Sequence, residues 1–201
     1  MELVTRQAWR LGVALAAIGL LLAGCGSEDA GGPTVNTSAA PSSTVASCPE
    51  SGVRVTAGTV DGAMGLRVMG IELTNCGTQT YEVTGYPVLT LLDEERRPFD
   101  VRVLHGAEPI TTNEGFCTPT GQFDAGPHLV TLAPGERAVA RVVWRNLTTD
   151  EFDQLVNATY LSVAPSASEA PQELAPSGGV DLGTTGQLGL SAWEPGHSTC
   201  Q

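Results

Sequence analysis

The sequence contains no lysine: all ten basic residues are arginine, set against 22 acidic ones for a formal charge of −12. Nucleic-acid binding rests on a basic face that releases counterions from phosphate, and no arginine cluster supplies one, so nucleic acid is excluded as a partner. The same surface repels anionic lipid and is read as a solubility device. Also missing are GxxxxGK[ST], GxGxxG and GxSxG, which removes the phosphate cradle, the dinucleotide fingerprint and the nucleophile elbow. There is no CxxC, and His105, His128 and His197 lack the i, i+2 or i, i+4 spacing of a metal cluster. Asp93, Glu94 and Glu95 stand beside Arg96 and Arg97 as a charged hairpin tip, without the alternating ligands of a calcium loop. No catalytic residue, cofactor or metal site is expected, and the chain is read as a non-enzyme. Abundant Ala, Gly and Arg without Lys match the codon bias of a high-GC bacterium.

No apolar run approaches the roughly 20 residues that a membrane-spanning helix needs. What is there instead is shorter: Arg6 and Arg10 precede an apolar stretch at residues 11–22, within the range of a secretion-signal core. It ends in Leu22-Ala23-Gly24-Cys25, which resembles the bacterial lipobox. That resemblance implies cleavage before Cys25 and a diacylglycerol on its thiol, a lipidation that anchors the mature protein to the cell membrane on its extracytoplasmic face; two acyl chains hold where one is marginal. Loss of Glu2, Arg6 and Arg10 with residues 1–24 leaves 21 acidic against 8 basic residues, a mature formal charge of −13.

Residues 26–47 are rich in Gly, Ser, Thr, Pro and Ala without apolar periodicity, so residues 25–47 are expected to be a flexible, disordered tether carrying the lipid at Cys25. Its reach is about 25 Å by random-coil scaling. From residue 48 to 201 period-two alternation dominates. Strands are expected near residues 53–60, 66–73 with a phase shift at Gly70, 88–92, 99–104, 129–132, 138–144, 159–163 and 188–192, with a turn at 61–65 and another at Ala133-Pro134-Gly135-Glu136. The 138–144 segment alternates Ala138, Ala140, Val142 and Trp144 with Arg137, Arg141 and Arg145. Residues 149–155 are the one short helix candidate, with Thr149 as its cap. Residues 165–187 form a Pro- and Gly-rich excursion, either a loop or a hairpin edge. Many short strands between Gly, Pro, Asn and Asp turns predict an all-β, antiparallel, immunoglobulin-like sandwich of one domain.

With Cys25 assigned to lipid, Cys48, Cys76, Cys117 and Cys200 remain, an even number in an oxidising compartment. Two disulfides are expected. Three pairings exist; the favoured one joins Cys48 to Cys76, tying the domain's start to the end of its second strand, and Cys117 to Cys200, pinning the tail. Trp144 and Trp193 are expected in the core ahead of any role as sugar platforms, and Tyr86 in Gly85-Tyr86-Pro87 is expected to fill a strand-entry turn ahead of facing a ligand.

Leu73-Thr74-Asn75-Cys76-Gly77, Gly85-Tyr86-Pro87 and Leu132-Ala133-Pro134-Gly135, in that order between Cys48 and Cys200, resemble the bacterial family called domain of unknown function 4232, found on secreted and lipid-anchored actinobacterial proteins. The likeness implies an immunoglobulin-like extracytoplasmic domain and supplies no activity or catalytic residue. The expectation is therefore a monomeric, lipid-anchored binding or structural module of the cell envelope, with the membrane as partner through its anchor and an envelope protein or glycan as ligand. An envelope hydrolase, or a carrier of a metal or small ligand, is the alternative; it would need His105 or His128 to converge with carboxylates.

Overall fold

The computed structural model describes residues 47–108, 110–111, 117–118, 121–150 and 154–196. Every regular element among them is a strand. The leader, Cys25 and the tether lie outside the described residues.

Alternation makes the first hairpin. β1 (Val53–Ala63) and β2 (Leu66–Asn75) are antiparallel, joined by Met64 and Gly65 at φ 48° and 79°. Two positive φ values in a two-residue loop match the type I′ geometry that follows strand twist. The expected turn at 61–65 is thus only two residues long, because Asp61, Gly62 and Ala63 remain in the ladder. The phase shift expected at Gly70 falls on the facing strand, as a bulge between Ala57 and Val60. There the chains come close: a Cβ on Gly58 would sit 3.2 Å from the Gly70 carbonyl oxygen.

The remaining strands follow in chain order: β3 (Tyr81–Thr84), β4 (Val88–Leu92), β5 (Arg102–His105), β6 (Cys117–Thr118), β7 (Gly121–Gln122), β8 (Leu129–Leu132), β9 (Arg137–Arg145), β10 (Val156–Ala158), β11 (Tyr160–Ala164), β12 (Gln172–Leu174), β13 (Val180–Gly183), β14 (Gln187–Leu190) and β15 (Glu194–Pro195). One sheet has the order β1-β2-β9-β14-β5, with β15 against the start of β9. Smaller sheets, β12-β11-β4, β3-β8 and β10-β13, supply the opposing layer. Met69, Ile71, Ala140 and Trp144 of the first layer share one buried cluster with Leu91, Val130, Leu161 and Leu182 of the second, a sandwich-like core. Trp144 and Trp193 are buried in it as expected, and their indole N–H groups donate to the carbonyls of Asp181 at 2.9 Å and Pro165 at 2.8 Å.

Several expectations shift. The β5–β14 pair is parallel, while the other strand pairs are antiparallel. The strand expected at 99–104 begins at Arg102, and the 165–187 excursion contains both β12 and β13. β9 is buried on both faces, since Val143 joins Ala107, Ile110 and Phe123 in a second cluster that covers the sheet's outer side with Leu66 and Val68. No helix occurs among the described residues near 149–155. Thr149 does not cap one: its amide donates to Thr184 Oγ1, its hydroxyl donates to the Thr184 carbonyl, and Thr184 Oγ1 donates back to the Thr149 carbonyl.

Candidate functional site

At one corner of the sandwich the expected Cys48–Cys76 disulfide is formed. Cys200 and the side chain of Cys117 lie outside the described residues. Next to the bridge, Asn75 is almost wholly buried. Its amide nitrogen donates to the carbonyls of Gln79 and Leu132, both at 2.8 Å, and its side-chain oxygen accepts from the Gly77 amide at 3.1 Å. Its backbone closes the Ala133–Glu136 turn, since Gly135 donates to the Asn75 carbonyl and Asn75 donates to the Glu136 carbonyl. One buried side chain thereby bonds three loop groups, among them the buried Leu132 carbonyl. A hollow of about 430 Å³ lined by residues 48–52 and 75–81 lies over this corner.

The charged candidates are similarly engaged. Asp93 accepts from the amides of Glu95 and Arg97 and pairs with the Arg97 guanidinium at 2.8 Å. These bonds, the Arg97 amide first, hold its carboxyl below the usual range. Arg96 pairs with Glu173 and lies 4.2 Å over the Tyr160 ring. The hairpin tip is thus a locked turn. Among the described residues no three His, Cys, Asp or Glu side chains gather at metal-binding range. Glu194 is buried against β9; desolvation pushes its carboxyl up, and His128 and Arg141 pull the other way. His197 lies outside the described residues.

The remaining motif, Gly85-Tyr86-Pro87, borders an opening. After the 93–97 turn the chain starts back along β4: Phe99 donates to the Leu91 carbonyl at 3.0 Å, and Leu92 bridges Pro98. Continued in that register, the ladder would set Val101 opposite Leu89 and Val103 opposite Pro87. Proline has no N–H to give. The returning chain instead turns to β14, where Arg102 donates to the Gly186 carbonyl at 2.9 Å and Gly106 to the Leu190 carbonyl at 3.0 Å. β4 and β5 therefore splay apart. At the far end Tyr86 stacks on His105, ring centroids 3.6 Å apart and 3° from parallel. Gly85, at φ 97°, is held there by the Trp193 amide. The cleft, about 380 Å³, is lined by Tyr86, Pro87, Val88, Leu89, Val103 and His105. Its volume lies at the small end of the range for ligand sites.

Tyr86 is accordingly half-buried and also borders an opening, joining the two roles weighed for it. Pro87, immediately before the apolar strand, is the one local sign in the sequence of an edge that lacks a donor. The sequence model of a domain of unknown function (DUF4232) matches residues 48–194. Neither the curated proteins nor the solved structures contain a match.

Proposed function

The chain belongs to the DUF4232 family, a domain of unknown function, and from that premise we propose that it is a non-enzymatic binding module tethered by lipid on Cys25 to the extracytoplasmic face of the cell membrane. The β4–β5 cleft carries the reading. Its walls are apolar, and its one imidazole is stacked flat against Tyr86, an arrangement suited to contact more than to proton transfer. Val88 is 46% exposed at its rim, and exposed apolar side chains beside a preformed opening favour a ligand. The leader and lipobox supply the address, and residues 26–47 supply the reach that lets the opening meet other envelope components.

Intact-mass spectrometry of the membrane-extracted protein tests the address: the expected mass begins at Cys25 and includes a diacylglycerol, and an unmodified Cys25 would overturn it. A photo-crosslinker placed at Val88, compared with one at the more exposed Met64, tests the binding face. Envelope adducts are expected at Val88 alone; equal labelling at both positions removes the case for the cleft.

A further inference from the structure

We propose that the β4–β5 cleft is a strand-addition site that takes an extended peptide segment of a partner protein, apolar at alternate positions and bearing an acidic side chain. This rests on the binding-module reading and names its ligand class. The backbone supplies the first reason. The Arg102 and Gly106 amides point to β14, and alternate residues of a strand face opposite edges, so the N–H and C=O groups of Val103 and His105 face the cleft. On the other side the Leu91 carbonyl faces Phe99, and Leu89, two residues earlier, presents its own groups to the same opening. Beyond Phe99 no strand among the described residues pairs with either edge. Free donors and acceptors at two-residue spacing are a template for another strand. A sugar or an acyl chain does not repeat that spacing.

Side chains narrow the occupant. Val88 offers apolar contact on the exposed face of β4, while Leu89 lies on the core face and Val103 packs against the core, which suits an added strand with apolar residues at alternate positions on one face. Among the described residues no carboxylate lines the cleft, in a chain with 22 acidic residues, whereas His105 lines it and Arg102 opens β5. With no carboxylate in its lining, the cleft offers an acidic peptide no like-charge repulsion, while a second copy of a chain with formal charge −12 is repelled. The Leu91–Phe99 bond closes one end and the Tyr86–His105 stack the other. The intervening residues 87–90 correspond to about 13 Å of strand at ~3.3 Å per residue, so a short segment fits.

The test uses the full purified chain and a pool of blocked hexapeptides with valine at alternate positions and aspartate or threonine between them. A second pool is N-methylated on alternate amides, and a third probe is soluble peptidoglycan glycan strands. The unmethylated pool is expected to slow hydrogen exchange at Val103 and His105 at least tenfold, and N-methylation to weaken binding at least tenfold. Val88→Asp, at an exposed position, is expected to weaken binding by a similar factor with an unchanged Tm. Equal binding of both peptide pools, or no protection at Val103 and His105, overturns strand addition. Glycan binding at Val88 without peptide protection would do the same while leaving the binding module standing; loss of the Val88-specific cross-links as well would remove both.

Discussion

The Asn75 corner and the Pro87 cleft are both places where the chain passes between strands, yet one is closed and the other open. At the corner a disulfide, a buried amide and four backbone bonds join residues 48–52, 75–79 and 132–136. In the cleft the ladder ends at the Leu91–Phe99 bond, Pro87 lacks a donor, and the two strands turn to different sheets, with a stacked ring pair spanning the gap. An asparagine can satisfy several backbone groups at once, whereas a proline removes one. The contrast places stabilising bonds at the corner and leaves adhesive backbone edges at the cleft, so the two regions are separable by mutation.

The largest effect is expected from breaking the corner's covalent tie. The paired change Cys48→Ala with Cys76→Ala removes the loop constraint and is expected to lower stability by about 2–4 kcal/mol, read by urea denaturation, while amide shifts around Tyr86 stay in place. Asn75→Ala is expected to cost about 1–3 kcal/mol by stranding the buried Leu132 carbonyl and removing the bonds to the Gln79 carbonyl and the Gly77 amide. A large shift of the His105 resonances in either variant would show that corner and cleft are one unit.

The different character of these regions also governs how much of them the sequence disclosed. Val88–Leu92 and Leu129–Leu132 follow from alternation alone, because each buries one face, and Trp144 was legible as an inward residue of β9. The outward side of β9 was not, since Val143 is buried by Ala107, Ile110 and Phe123, which reach it from a loop distant in sequence. Thr74-Asn75 and Leu132–Gly135 stood out as separate motifs; only the fold shows that they meet through one amide group. The opening was hidden for a related reason. Pro87 announces a missing donor, but nothing local tells that residues 102–105 will leave β4 for a parallel partner contributed by residues 187–190.

Smaller effects sharpen the same comparison at the cleft. Pro87→Ala restores an amide and relaxes the unfolded chain; it is expected to cost only about 0.4–1 kcal/mol but to weaken ligand capture by allowing the ladder to extend toward Val103. Glu194, near the base of β9, gives a pH signature. Its folded-state pKa is raised by burial, so its contribution to stability is present below the unfolded carboxylate range and is lost as pH rises through the folded value. Glu194→Gln is expected to flatten that decline in denaturation curves taken across the acid range. Asp93 has the opposite sign: its pKa is lowered by the Arg97 bonds, so its contribution is lost as pH falls, and Asp93→Asn is expected to blunt sensitivity to acid.

Amide hydrogen exchange of the unliganded protein along residues 101–106 tests the open edge most directly. Slow exchange at Arg102, Leu104 and Gly106 alternating with fast exchange at Val103 and His105 is the expected pattern, since only the first set faces β14. Uniform protection of all five amides would mean that the β5 edge is already paired, and the cleft would not be a site for an added strand.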